Sequence, residues 1–180
     1  MNNFDKNWRN AKKSIFRLEG RAEYHIPGDW ENFEEWKTGD FDLAKNKYWQ
    51  NWLKTLKSAQ KKKIAVQRVK VTPEPLPDYV KYELDLWQKY SVANGEEIFF
   101  LSANNYQAIT KEAGFDPKDF WFFDDQALLM FNYDKSGKPA GEILITNGGM
   151  INRYVELKQK LLQKSLPMET FLKKIAKIPA

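Results

Sequence analysis

The sequence predicts an α+β fold: a largely antiparallel sheet flanked by helices, with a C-terminal helical segment. Three observations carry that expectation. Short apolar and aromatic runs late in the chain, Phe120–Phe123, Ala127–Tyr133 and 141–146, are joined by turn residues such as 134–138, as in hairpins. Helical spacing dominates the first 60 residues and the last 30. Hydrophobic residues are 42% of a 180-residue chain, which suits one packed core and leaves no room for two ordinary domains. A single α+β domain is therefore placed at 1–150, with the C-terminal helices of 151–180 packed on it.

Each element has its own signal. Phe4, Trp8, Ala11 and Ile15 recur at helical spacing and predict a helix over 4–14. An extended run follows from Ile15 to Glu19 and continues towards Tyr24, until Pro27-Gly28 breaks it. Asp29 reads as the cap of a helix over 30–37, where Trp30, Phe33 and Trp36 share a face and Gly39 ends it. A second helix spans 43–60, with a stripe of Leu43, Trp49, Trp52, Leu53 and Leu56. Lys61, Lys62 and Lys63 stand at its end, where the helix dipole favours cations.

Residues 64–71 are a strand by their β-branched content. Pro73, Pro75 and Pro77 forbid helix and predict a stiff extended link. Asp78 then caps a helix to about Ala93, closed by Asn94-Gly95. Residues 97–102 are a buried strand and 105–113 a short helix stopped by Gly114. After the hairpin strands, Asn147-Gly148-Gly149 turns the chain into a helix carrying Ile151, Tyr154, Val155, Leu161 and Leu162. Ser165-Leu166-Pro167 separates it from a last helix with Met168, Phe171, Leu172 and Ile175 inward.

Composition removes several function classes. There is no cysteine, so disulfide and thiol chemistry are out, and one histidine argues against a His-rich metal site or a Ser/His triad. No apolar run approaches the roughly 20 residues of a membrane helix, and the N-terminus lacks signal-peptide character; the expected location is the cytoplasm. No phosphate-loop or dinucleotide fingerprint occurs. Gly148-Gly149 before a helix offers at most a weak anion cradle.

The charge is arranged in blocks. Residues 1–70 hold 16 Lys/Arg against 9 Asp/Glu, residues 71–150 hold 6 against 13, and residues 151–180 hold 7 against 2. Either the basic blocks converge on a surface for a polyanion, or the three blocks neutralise one another on folding.

Three constellations carry candidate chemistry. In the run 119–125, acids flank four aromatics. Asp124 and Asp125, joined by Glu96 or Glu83, would suit Mg²⁺, a hard cation that prefers carboxylates; the plainer reading is a strand-end turn with pairing to Arg68. Glu96 and Glu97 also read as a solvated strand entrance, and His25 as a loop histidine. Lys61, Lys62, Lys63 and Lys70, with Arg68 beside Trp49 and Trp52, would suit single-stranded nucleic acid, where bases stack and phosphates pair; the plainer reading is a solvated helix end above core tryptophans. The basic tail over 150–177 reads chiefly as a cover for the sheet.

The spread pattern Leu18-Glu19, Tyr24, Trp36, Gly39, then Arg68-Val69-Lys70-Val71, Pro77-Asp78-Tyr79, Glu83, Asn94-Gly95-Glu96, Asp119-Phe120-Trp121 and Asp124-Asp125 resembles an uncharacterised bacterial domain family. That family is common in actinobacteria and often encoded beside helix-turn-helix regulators. The resemblance covers about 5–135, and the tail lies outside it. It implies no activity. It does imply a polar set of Glu19, Tyr24, Arg68, Tyr79, Glu83, Glu96, Asp119, Trp121, Asp124 and Asp125, as a buried Arg–carboxylate network or a shared pocket. The expectation is a non-catalytic regulatory or accessory protein that binds a protein or nucleic acid and uses no cofactor. The alternative is a Mg²⁺-dependent nuclease or phosphotransfer enzyme, with Asp124, Asp125, Glu96 and Glu83 on the metal and Arg68 on the phosphate.

Overall fold

The computed structural model describes residues 2–115 and 117–177, so the last three residues of the expected C-terminal segment lie outside it. Helix α1 (Asn3–Asn10) starts under the Asn2 side chain, which accepts from the Asp5 amide at 2.8 Å. It stops short of the expected end at 14 because the amides of Lys12, Lys13 and Ser14 turn to the Asp124 carboxylate, at 2.9, 2.7 and 2.9 Å. Strand β1 (Ser14–Glu19) ends at Glu19, well before Tyr24, since the Gly20 amide leaves the sheet to donate to Asp119 Oδ1 at 2.8 Å.

Helix α2 (Asp29–Thr38) is capped by Gly28, not by Asp29. Gly28 sits at φ +85°, and its amide donates to Glu31 Oε2 at 2.5 Å. Asp29 is thereby released from capping and turns inward. Helix α3 (Lys47–Lys61) begins later than the expected 43, where the Asn46 side chain accepts from the Trp49 amide. After β2 (Ala65–Thr72), helix α4 (Asp78–Leu86) follows Pro77. Asp78 pairs with Lys81 and does not cap. The helix runs on as a π turn (Trp87–Ser91) and a 3₁₀ turn (Val92–Asn94), ended by Gly95 at φ +89°.

The rest runs β3 (Glu96–Ser102), α5 (Ala103–Ala113), β4 (Phe120–Phe123), β5 (Ala127–Tyr133), β6 (Pro139–Ile145), α6 (Gly148–Lys164), the two-residue β7 (Leu166–Pro167) and α7 (Met168–Ile175). Gly148 and Gly149 form the first turn of α6, where the Asn147 side chain accepts from the Gly149 amide at 3.0 Å.

The seven strands form one sheet in the order β6-β5-β4-β1-β2-β3-β7. Four pairings are antiparallel: the hairpins β4–β5 and β5–β6, and the long-range pairs β1–β4 and β3–β7. The pairs β1–β2 and β2–β3 are parallel because α2, α3 and α4 carry the chain back between them. The fold class is thus the expected one: α+β with a mostly antiparallel sheet and C-terminal helices.

The pleat sorts side chains onto two unlike faces. One face presents Phe16, Leu18, Val69, Val71, Leu101, Phe120, Phe122 and Leu128, and α5 and α6 cover it with Ile109, Ile151, Tyr154, Leu157 and Leu161. This layer is dry and apolar. Helix α6 of the C-terminal segment is thus part of this core layer. The opposite face has apolar ends, with Ile15, Val66, Trp121 and Leu129 under α1 and α3, and Ile98 and Phe100 under α4 and α7. Between them, the residues that alternate with the dry layer are Arg17, Glu19, Arg68, Lys70 and Glu96, all buried.

Candidate functional site

The five charged residues make a row across three strands. Register sets Arg17 beside Arg68 and Glu19 beside Lys70. Glu19 Oε1 accepts from Arg68 Nη1 at 2.5 Å and from Arg17 Nε at 3.4 Å, while Arg68 Nε donates to Glu96 Oε1 at 2.8 Å. From α4, Glu83 reaches down to Lys70, with Oε2 2.5 Å from Nζ. Aromatic faces surround the cations: Arg68 lies 4.9 Å from the Trp87 ring centre, Arg17 5.2 and 5.1 Å from Trp121 and Phe131, and Lys70 4.7 Å from Tyr24.

Two tyrosine–aspartate clusters flank the row. Tyr24 donates to Asp119, which also accepts from the Gly20 amide. Tyr79 and Tyr82 both donate to Asp29, and Trp49 Nε1 donates to the Tyr82 hydroxyl at 3.2 Å.

Burial and pairing compete over the charge states. Burial pushes the Glu19 carboxyl up, but Arg68, Lys70 and Arg17 together hold it below the usual range. For Glu83 burial wins over Lys70 and lifts it to about 8. Burial likewise raises Asp29 and Asp119 despite their hydrogen bonds. Burial lowers Arg68, yet Glu19 and Glu96 more than restore it, so the guanidinium stays charged.

Above this row lies a pocket of about 610 Å³. Arg17, Glu19, Arg68 and Glu83 form its floor. Trp52, Trp121, Phe131 and Tyr133 stand in its walls, and the exposed Asn2, Asn51 and Glu142, with the half-buried Thr55, mark its rim. Its size and aromatic lining are those of a site for a small organic group.

The structure brings together most of the polar set implied by the resemblance. Glu19, Tyr24, Arg68, Tyr79 and Glu83 line the pocket with Trp121, while Glu96 sits behind Arg68 and Asp119 behind Tyr24. Asp124 and Asp125 are elsewhere. Both have positive φ in the β4–β5 turn; Asp124 is taken by three amides and Asp125 by Lys158 at 2.5 Å. Asp124 follows β4 and Glu96 opens β3, three strand spacings or about 14 Å across the sheet. The acids of the Mg²⁺ alternative are therefore not gathered, and among the described residues no group of three or more His, Cys, Asp or Glu is placed to hold a metal ion.

Lys70 is corrected as a nucleic-acid contact. It is 0% exposed and bound to Glu83, so no phosphate reaches it. Lys61, Lys62 and Lys63 are exposed at the end of α3, and Lys62 shares a surface depression with Arg9 and Lys12. Glu97 accepts from Gln67 at 2.8 Å at an exposed strand entrance, and His25 stacks on Trp30 in a loop.

Several site residues escaped the sequence reading: Arg17, Asp29 as an inward group, Tyr82, Phe131 and Tyr133. One signal for Arg17 was present. Arg17 and Glu19 alternate with Phe16 and Leu18 just as Arg68 and Lys70 alternate with Val69 and Val71. Two strands with the same charged–apolar alternation are candidates to be neighbours with a shared polar face.

A family model described as "Domain of unknown function (DUF6879)" matches residues 2–173, so the chain belongs to that family. The match runs through α6 and almost to the end of α7, beyond the 5–135 that the motifs alone had covered. No curated protein matches the chain.

Proposed function

We propose that this family member is a non-catalytic binding module, regulatory or accessory in role, whose site is the aromatic pocket above the charged row. The observation that carries the reading is the union of aromatic walls and a buried, charged floor in one 610 Å³ cavity. Every carboxylate of the floor already holds a cation or a phenol, an arrangement suited to reading shape and hydrogen-bonding pattern. The walls favour a planar group, which a small molecule, a protein or a nucleic acid would each be able to insert. The regulatory role rests on the resemblance to bacterial domains encoded beside helix-turn-helix regulators, a cytoplasmic setting in which protein and nucleic acid are the available partners.

The test is thermal denaturation with planar probes, adenosine and a series of 2-naphthyl compounds, over a concentration range. A ligand that binds only the native state raises Tm by mass action. The expected result is a saturable rise with at least one probe, lost in Thr55→Trp, which fills the rim without touching the charged floor. No saturable rise with any probe, or one undiminished in Thr55→Trp, overturns the proposal.

A further inference from the structure

The two arginines of the floor are unequally served. Arg68 holds two carboxylates, Glu19 at 2.5 Å and Glu96 at 2.8 Å. Arg17 gets the long share of the same Glu19 oxygen, at 3.4 Å, and lies 3.9 Å from Asp119. Its Nη2 donates to the Tyr133 hydroxyl at 3.3 Å, and its Nη1 has no hydrogen-bond partner among the described residues. Arg17 is 4% exposed and lines the pocket. A buried donor left without an acceptor is destabilising, and a guanidinium is matched best by a planar carboxylate.

The wider charge balance points the same way. Arg17, Arg68 and Lys70 are the buried cations of the row; Glu19 and Glu96 face the arginines most closely, and Asp119 stands 3.9 Å from Arg17. Asp29, Glu83 and Asp119 are pushed by burial towards their neutral forms. A planar carboxylate beside Arg17 supplies the acceptor that its Nη1 lacks. Phe131, Trp121 and Tyr133 surround this guanidinium, so the body that carries the negative group meets flat rings.

Resting on the pocket being the binding site, we infer that its ligand is an aromatic carboxylate, with the carboxylate on Arg17 and the ring system against the aromatic walls. The same chemistry has two sources: a free aromatic acid, or the carboxyl terminus of a partner chain that ends in an aromatic residue.

Isothermal titration of the intact protein at pH 7 with three matched probes decides it: 2-naphthoate, 2-naphthamide and 2-naphthylmethylammonium. The inference predicts that 2-naphthoate binds at least about tenfold tighter than the amide, a difference of about 1.4 kcal/mol, with the cation weakest. Arg17→Lys, which keeps the charge but loses the planar fork, narrows that preference. A pentapeptide ending in tryptophan, free or amidated at its C-terminus, separates the sources: free-acid peptide binding assigns a chain terminus, and 2-naphthoate binding without it assigns a small acid. Equal affinity for the three naphthyl probes leaves the pocket reading standing and overturns this inference. Binding of none of them, together with no response to adenosine, overturns both.

Discussion

Removing Arg68 tests what holds the charged row together. Arg68→Met keeps an apolar stem among Trp52, Trp87 and Trp121 but strips Glu19 of its 2.5 Å partner and Glu96 of its 2.8 Å partner. Both acids are buried, at 6% and 2% exposure, so water does not replace the guanidinium. Breaking a buried pair in this way costs about 3–5 kcal/mol. In a domain of this size that corresponds to a fall in Tm of about 6–20 °C. The loss also depends on pH. In the intact protein burial acts to raise Glu19, but the neighbouring cations hold it low, so its contribution is present above its unfolded pKa and is lost as pH falls through the depressed value. Without Arg68 the effect of burial on Glu19 meets less opposing charge, its folded-state pKa rises, and the variant is penalised more at pH 8 than at pH 5. Urea denaturation of both proteins at the two pH values reads this directly. A loss below about 1 kcal/mol at pH 8, or the same loss at both, refutes the view that Arg68 is the counter-charge of the row.

Other consequences are as specific. Glu83 carries a folded-state pKa raised by burial to about 8 from 4.5, so the native state binds the extra proton and stability falls as pH rises between those values; Glu83→Gln flattens that slope in urea midpoints measured across the window. Asp124→Ala removes the acceptor of three amides at the α1–β1 junction and costs about 2 kcal/mol in thermal melts, whereas Asp124→Asn, which keeps one side-chain oxygen and tolerates positive φ, costs less. Leu161→Ala, at a 0% exposed position of α6, costs about 2–5 kcal/mol by chemical denaturation, as a core residue does; a loss within experimental error contradicts α6 as part of the core.

The hairpin half of the sheet was legible because its strands are short and adjacent in sequence, separated by turns whose chemistry is local. Phe120–Phe123 and Ala127–Tyr133 have the bounds the sequence implied. The parallel half was not, since pairing of β1 with β2 depends on how α2 and α3 return the chain, and nothing local encodes that. Helix starts were displaced where a neighbouring side chain outcompeted the expected cap: Glu31 serves the Gly28 amide, which frees Asp29 for Tyr79 and Tyr82. Of the polar set, Glu19, Tyr24, Arg68, Tyr79 and Glu83 line one pocket, and Asp124 and Asp125 lie apart from it. Glu19, Arg68 and Glu83 do meet, but Asp124 and Asp125 were grouped with them only by residue type. Their true partners, the amides of Lys12, Lys13 and Ser14 and the Lys158 ammonium, are over 30 positions away or carry no sequence signature. Lys70 shows the converse: its alternation with Val69 and Val71 places it on a strand, yet only the sheet order shows both faces of that strand to be covered.

The central claim, that the pocket over the charged row is the binding site, is tested most directly by the indole N–H resonances of the seven tryptophans during titration with 2-naphthoate. The account predicts saturable shifts for Trp52 and Trp121 in the pocket wall, with smaller changes for Trp49 and Trp87 and none for Trp30 and Trp36, which lie outside it. Shifts confined to Trp30 and Trp36, or no saturable shift at any tryptophan with either 2-naphthoate or adenosine, would contradict it.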